Sequence, residues 1–335
     1  MRKVRLVDST LRDGMHAVSH QLTAEQMATI AKGLDEAGIG TIEIGQGDGI
    51  GGSSRQYGFA RETDEAYFKA VSKAVTKGKW CVLLIPGIGT IDDLKVALEY
   101  NVGTVRVATH VTEADVSEQH IKFAKQAGIE AIGFLMMSHM APPEKVVEQA
   151  KLMESYGAEL VYVTDSAGAM TPDEVKARIN GVINAVQIPV GFHAHNNLGL
   201  AIGNTLAALE EGASLVDGTL RGLGAGAGNA QLEVLAAVLT KLGYETGVDF
   251  YKLMDVGQDL VDPIMHRPQI ISNDGLAIGY AGAYGSFMLH ARRAAEKFGV
   301  DARDILLEMG RRKAVGGQED WIIDVAIDLS KNKKA

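Results

Sequence analysis

The stretch Gln126-Ala127-Gly128-Ile129-Glu130-Ala131-Ile132-Gly133-Phe134 runs from the end of a helix, through a glycine and a short turn, into an apolar, β-branched segment. The same order returns as Glu36-Ala37-Gly38-Ile39-Gly40-Thr41-Ile42-Glu43-Ile44, as Ser155-Tyr156-Gly157-Ala158-Glu159-Leu160-Val161-Tyr162-Val163, and as Glu210-Glu211-Gly212-Ala213-Ser214-Leu215-Val216-Asp217. Glycine just past a helix takes the left-handed conformation that ends it. Short apolar runs between amphipathic helices are what a parallel sheet needs, because both of its faces are covered.

Extending this reading gives eight candidate strands, at 4–8, 41–45, 80–85, 104–108, 131–136, 160–164, 189–193 and 215–219. The helices between them carry start signals. Thr23-Ala24-Glu25-Gln26 is a capping box, followed by Met27, Ile30, Leu34 and Ala37 on one helical face. Thr171-Pro172-Asp173-Glu174 adds a proline at the first helical position. Eight β-α units in succession predict a (β/α)8 TIM barrel over residues 1–262. A doubly wound open sheet is the alternative arrangement of the same elements. Beyond Lys241 the chain reads as helices at 249–261, 280–298, 302–310 and 319–329, followed by a lysine-rich tail. Residues 263–335 are thus expected to form a small C-terminal helical domain that the barrel does not need for closure, suited to docking or to covering the site.

The composition is that of an ordinary globular chain, with 335 residues, 46% hydrophobic and 22% charged. A formal net charge of −9 argues against a nucleic-acid surface, and leaves any anionic substrate to a local arginine or a metal. The single cysteine, Cys81, lies in the apolar run Trp80-Cys81-Val82-Leu83-Leu84-Ile85 and reads as core. No intrachain disulfide is possible, which points to a reducing cytoplasm. Nothing approaches the roughly 20 apolar residues of a membrane span. Asp8, Arg12 and Asp13 interrupt any signal-peptide core after the basic start.

In a barrel of this kind catalytic groups sit at the C-terminal ends of the strands. That rule gathers Arg12, Asp13 and His16 after the first strand, and Glu43 and Gln46 after the second. It adds His110 after the fourth, Ser138 and His139 after the fifth, Asp165 and Ser166 after the sixth, and His193, His195 and Asn197 at the seventh. His193 and His195 are two apart, so on a strand they share a face. With Asp13 they make an oxygen and two nitrogens, a set that can hold a divalent cation with positions left open. An isolated Arg-Asp pair is usually an ion pair, and an isolated His-x-His is usually coincidence; their meeting on one rim is what points to a metal. Met136, Met137 and Met140 read as flexible apolar packing. The run Gly222-Leu223-Gly224-Ala225-Gly226-Ala227-Gly228-Asn229-Ala230 follows the last strand. It puts Asn229 where a dinucleotide fingerprint needs glycine. It reads instead as a loop without side chains that lets backbone approach the barrel mouth, and no nicotinamide site is expected.

Asp8-Ser9-Thr10-Leu11-Arg12-Asp13-Gly14 resembles a segment shared by the superfamily of hydroxymethylglutaryl-CoA lyase and isopropylmalate synthase. Further segments are similar to the 4-hydroxy-2-oxovalerate aldolases, class II pyruvate aldolases of that superfamily. They are Gly14-Met15-His16-Ala17, Gly47-Asp48-Gly49, Tyr57-Gly58-Phe59, Arg106-Val107-Ala108-Thr109-His110 and Gly133-Phe134-Leu135-Met136-Met137-Ser138-His139-Met140. The likeness continues through Gly224 to Ala230, Gly279-Tyr280-Ala281-Gly282-Ala283-Tyr284 and Val315-Gly316-Gly317-Gln318-Glu319-Asp320. Asn196 stands where many such aldolases carry histidine, and the C-terminal catalytic cysteine of the CoA lyases has no counterpart.

The resemblance implies metal-dependent cleavage of 4-hydroxy-2-oxovalerate to pyruvate and acetaldehyde. It implies Asp13, His193 and His195 as ligands of Mn²⁺, with Mg²⁺ or Co²⁺ as substitutes. It also implies His16 as the base, Arg12 and Tyr284 as further catalytic residues, and Arg12, Asp13, Ser166, His193 and Tyr284 as the residues that bind the 2-oxo acid. The partner it implies is an acylating acetaldehyde dehydrogenase, bound in a hetero-oligomer through the C-terminal domain, to which the aldehyde passes. A CoA-dependent Claisen-type synthase or lyase on the same barrel is the alternative, and a barrel without activity is the non-enzyme reading. No nucleic-acid or membrane partner is expected.

Overall fold

The computed structural model describes residues 2–332, and in it the apolar runs form eight parallel strands. They are β1 (Arg5–Leu11), β2 (Thr41–Ile44), β3 (Lys79–Leu84), β4 (Thr104–His110), β5 (Glu130–Met136), β6 (Leu160–Asp165), β7 (Val190–Ala194) and β8 (Leu215–Gly218). They pair in sequence order, and the ring closes where β1 meets β8, with Arg5 beside Leu215 and Asp8 beside Gly218. That closing pair makes the sheet a (β/α)8 barrel and excludes the open, doubly wound arrangement. Val7, Leu83, Ile132, Phe134, Leu160 and Tyr162 pack together within it.

Between the strands run α1 (Ala24–Glu36), α2 (Asp64–Ala74), α3 (Ile91–Glu99), α4 (Glu118–Gln126), α5 (Pro143–Tyr156), α6 (Pro172–Ile183) and α7 (Ala201–Glu210), with α8 (Leu232–Lys241) after β8. Their ends follow the local chemistry of the sequence. Thr23 Oγ1 accepts from the Gln26 amide at 3.1 Å while Gln26 Oε1 accepts from the Thr23 amide at 2.9 Å, so two otherwise orphaned donors are satisfied. At α6 the Glu174 carboxylate accepts from the Thr171 amide at 2.8 Å, with Pro172 at the first position. The repeated glycines take the expected left-handed turn, φ being 91° at Gly38 and 105° at Gly157. Cys81 is buried in β3, as its apolar neighbours require.

A parallel ladder of Arg2–Lys3 with Tyr244–Glu245 lies outside the barrel. Each strand is only two residues long, too short to leave a pattern in the sequence. After it α9 (Phe250–Asp255) runs on into a π-turn and a 3-10 turn that ends at Ile264.

The C-terminal part differs from the expectation in one respect. The single helix expected over 280–298 is two, α10 (Asn273–Ala281) and α11 (Phe287–Phe298). Gly282 takes the left-handed conformation, φ 62°, and closes α10. Ser272, whose hydroxyl accepts from the Gly275 amide at 3.2 Å, starts that helix well upstream of Tyr280. With α12 (Ala302–Arg311) and α13 (Trp321–Asn332) these helices bury a core of their own, including Ile278, Phe287, Ala291, Ile305 and Ile322. The lysine-rich tail beyond residue 332 lies outside the described residues. No described helix is long and apolar enough to cross a membrane.

The register of β1 against β2 shifts between Asp8 and Leu11. The Asp8 carboxyl accepts from the Thr10 amide at 3.0 Å and from the Thr10 hydroxyl at 2.6 Å, and that hydroxyl accepts in turn from the Leu220 amide at 2.8 Å. A side chain bonded to its own backbone two residues on competes with the ladder, so the strand leaves regular pairing just before Arg12 and Asp13.

Burial pushes the Asp8 carboxyl up to about 8, against the Thr10 hydrogen bonds that lower it. A group raised in the fold contributes stability that is present below its unfolded value of 3.8 and is lost as pH climbs through about 8. Asp8→Asn cannot ionise. In denaturant unfolding across that window, the variant should show a flatter decline with rising pH than the parent; parallel curves would mean that Asp8 is ionised in the fold throughout.

Candidate active site

The C-terminal rim of the barrel holds a closed ring of buried charge. Arg12 sits where β1 gives way to the 3-10 turn Asp13–His16. Its Nε donates to Glu43 Oε2 at 2.8 Å, and its Nη1 donates to Asp13 Oδ2 at 3.0 Å. Glu43, on β2, also lies 3.5 Å from Arg106 Nη1 on β4. Arg106 grips Asp217 on β8 with both terminal nitrogens, at 2.7 and 2.8 Å. Asp217 Oδ2 is 2.8 Å from His193 Nδ1, and His193 Nε2 faces Asp13 Oδ2 at 3.7 Å. The Arg106 guanidinium lies 4.5 Å from the centroid of Tyr162 and 5.1 Å from that of Phe134. An arginine is tolerated at such depth because planar aromatic faces and a bidentate carboxylate both suit it.

The ring carries two guanidinium cations and three carboxylates, which leaves a negative charge in excess. Burial raises the proton affinity of Asp13, but the charges of His195 and Arg12 outweigh it and hold its carboxyl well below the usual carboxylate range. Asp217 is likewise held far down by Arg106 and by its bond from His193, against its burial. It therefore accepts, His193 Nδ1 donates to it, and His193 Nε2 is turned toward Asp13. His195 Nε2 approaches the same Asp13 oxygen at 3.4 Å. One oxygen of Asp13 and one nitrogen from each of His193 and His195 lie within 4.8 Å of one another.

The glycine-rich segment closes over this triad. The Ala225 amide donates to Asp13 Oδ1 at 3.4 Å. A Cβ on Gly224 would meet that same oxygen at 2.8 Å and would strike Asn229 Nδ2, so only glycine fits there. Asn229 pairs with His195 across an isolated bridge, and its own Oδ1 is buried without a hydrogen-bond partner. An orphaned buried oxygen costs free energy unless something binds it. The O/N/N donors of Asp13, His193 and His195 fit a divalent cation.

His16 follows on the same turn, half-buried, with its ring edge-on to His20 at 5.0 Å between centroids. His20 Nδ1 accepts from the Gly47 amide at 3.3 Å. Burial, reinforced by the nearby charge of His16, pushes the His20 imidazole down to about 4. Asp48 lies in the loop after β2; burial raises its carboxyl, while the charges of His16 and Arg12 oppose the rise. Gln46 shapes that loop, accepting from the Asp48 amide at 2.6 Å and donating to the Tyr57 and Gly58 carbonyls at 3.2 Å.

The other residues expected on the rim divide into those facing the mouth and those holding the frame. Tyr284, from the loop between α10 and α11, stacks on His110 at 6.5 Å. Burial, with Glu113 nearby, raises its phenol well above the ordinary value, so it stays a donor. His139 Nε2 donates to the Gly282 carbonyl at 3.0 Å and ties the β5 loop to the end of α10. Ser166 Oγ accepts from the Met137 amide at 3.0 Å. Ser138 Oγ donates to the Leu135 carbonyl at 2.8 Å, and Asp165 accepts from the Ala169 and Met170 amides. Asn197 lashes the glycine loop down, accepting from the Ala227 amide at 2.8 Å and donating to the Ala167 carbonyl at 2.9 Å.

Reasoning from the sequence gave Glu43 no partner and did not place Arg106, Asp217 or Asn229 in the site. The available signal was a lone charge inside an apolar strand, in Thr104-Val105-Arg106-Val107-Ala108 and in Leu215-Val216-Asp217-Gly218. Such a charge in a doubly buried strand demands a partner from across the barrel.

Comparison with known proteins places the chain in a family. Residues 3–260 match the HMGL-like family, and residues 269–331 match the DmpG-like communication domain. The 4-hydroxy-2-oxovalerate aldolase of Carboxydothermus hydrogenoformans is 68% identical over 333 residues, 99% of each chain. That of Moorella thermoacetica is 63% identical over 332 residues, 99% of this chain and 98% of its own. In fold alone, the carboxyl transferase domain of Rhizobium etli pyruvate carboxylase superposes with a TM-score of 0.80 at 15% identity, over 99% of this chain and 61% of that one. The HMG-CoA lyase of Brucella melitensis gives 0.69 at 19%, over 80% and 100%. The chain belongs to the HMGL-like family and, within it, to the 4-hydroxy-2-oxovalerate aldolases, which are lyases.

The depressed His20 imidazole sets a pH signature. Its stabilising share is present above 6.5 and lost as pH falls toward about 4. An NMR titration should find the ring neutral until about pH 4, and a midpoint near that of a free imidazole would show the site open to water.

Proposed function

We propose that the rim performs metal-dependent retro-aldol cleavage of 4-hydroxy-2-oxovalerate, with Asp13, His193 and His195 as the ligands. The observation that carries the reading is the convergence of those three donors beside Arg12 at the open end of the barrel. Their hard oxygen and imidazole chemistry suits Mn²⁺, with Mg²⁺ and Co²⁺ as substitutes. Once bound, such a cation supplies Lewis-acid polarisation of the substrate's keto and carboxylate oxygens.

The side chains do the rest. His16 takes the proton of the C4 hydroxyl. As that O–H bond breaks, the C4 carbonyl forms, the C3–C4 bond breaks, and its electron pair moves into the enolate of pyruvate. Arg12, held rigidly by Glu43 and Asp13, faces the negative charge that develops on the enolate oxygen. Tyr284 donates from the mouth, and Ser166 contacts the 2-oxo acid. Protonation at C3 by water releases pyruvate, the aldehyde leaves, and His16 returns its proton to the hydroxide so formed.

We also propose a division near residue 262, the following residues forming a docking domain. The family match over 269–331 and the exposed apolar side chains of α10, Leu276 and Tyr280, support this. The partner would be an acylating acetaldehyde dehydrogenase, which would receive the reactive aldehyde directly, in a cytoplasmic complex.

Pyruvate release from 4-hydroxy-2-oxopentanoate should cease on chelation and return with Mn²⁺; turnover that survives full chelation would sink the mechanism. His16→Ala should slow cleavage by roughly 10²–10⁴ and leave proton exchange at C3 of pyruvate largely intact, since exchange needs no C4 base. Arg12→Ala should impair both reactions. Equal loss of both in the His16 variant would overturn its assignment.

On co-expression, chain and dehydrogenase should co-elute in size-exclusion chromatography, through an interface of about 1,000 Å² or more. The double change Leu276→Ser and Tyr280→Ser should weaken that association. Unaltered co-elution would place the contact elsewhere.

A further inference from the structure

We propose that Gln269, which lies outside the barrel, is a positioning residue for the metal site. The inference rests on the metal reading above. Gln269 stands in the segment between Ile264 and α10. Its side-chain Nε2 donates both hydrogens, one to the Gly224 carbonyl and one to the Gly226 carbonyl, each at 3.0 Å. These two carbonyls flank Ala225, whose amide donates to Asp13 Oδ1. A single carboxamide thus brackets the one peptide group that touches the proposed carboxylate ligand.

The loop needs such a bracket. Residues 222, 224, 226 and 228 are all glycine, so few side chains of its own fix its shape. Its far end is held to the histidine strand, where the Asn196 amide donates to the Gly228 carbonyl at 2.7 Å and the Ala230 amide donates to the Ala194 carbonyl at 3.2 Å. Its near end lies against Asp13 and is gathered by Gln269. Contact with Gln269 is close: a Cβ on Gly228 would meet Gln269 Cγ at 2.8 Å. The loop therefore spans from Asp13 to the strand of His193 and His195, and its shape sets how Asp13 Oδ1 is engaged. Groups that orient a metal ligand typically change metal affinity by about 10- to 100-fold when lost.

The test uses the full-length chain and Mn²⁺ alone. Gln269→Glu keeps the shape of the side chain but removes both donors and sets a carboxylate against two carbonyls. Gln269→Lys keeps a nitrogen donor at the end of the chain. Calorimetric titration should show Mn²⁺ binding weakened about 10-fold or more in Gln269→Glu and largely restored in Gln269→Lys. Amide exchange at Ala225 should quicken in the first variant and return in the second. Unchanged Mn²⁺ affinity in Gln269→Glu overturns the proposal. So does a loss that only tracks a lower melting temperature, which would make Gln269 a structural anchor. A parent chain that binds no Mn²⁺ brings down the metal reading and this inference with it, an outcome visible before any variant is made.

Discussion

The ring that runs Arg12, Glu43, Arg106, Asp217, His193, Asp13 and back to Arg12 is the constraint on which the rest of the site depends. A buried guanidinium is tolerable only if its charge and its hydrogens are met. Arg106 meets both demands across the width of the barrel, and so fixes the spacing of β2, β4 and β8. The carboxylates it holds then fix two other groups: Glu43 orients Arg12, and Asp217 sets the tautomer of His193. Removing one member would leave its neighbours buried with uncompensated charge. The same residues that shape the site thus brace the strands that carry it.

Much of this was legible in the sequence, and the reasons are physical. The glycine-terminated helices and apolar runs announced alternating elements because helix termination and doubly buried strands leave strong local marks. Arg12, Asp13, His16, His193 and His195 were legible because strand ends gather on one rim whatever their distance in sequence. What stayed hidden was mutual. Arg106 and Asp217 look like isolated charges until closure of the barrel brings β4 and β8 within reach across its interior. Gln269 has no signal at all, since its role depends on where a linker falls over a loop. The break at Gly282 was missed because Tyr280, Ala281 and Gly282 fit a helical face well, and only the left-handed turn at the glycine ends it.

The C-terminal helices are more than an appendage to the barrel. They reach it through His139 to the Gly282 carbonyl, through Tyr284 stacked on His110, and through α10 itself. A Cβ on Gly279 would come within 2.9 Å of Asn197 Cβ, so the helix lies directly on the loop that follows the paired histidines. Whatever binds these helices therefore leans on the same loops that frame the site.

The packed interior also imposes a direction. Arg106 is buried inside the barrel against Phe134 and Tyr162, and further down Arg5 locks onto Glu130. Side chains fill such an interior as a core and not as a pore. Small molecules thus have one face by which to arrive and depart, the face over which Tyr284 and the C-terminal helices lie. Traffic at this rim is one-sided by construction: what enters or leaves it passes beside those helices.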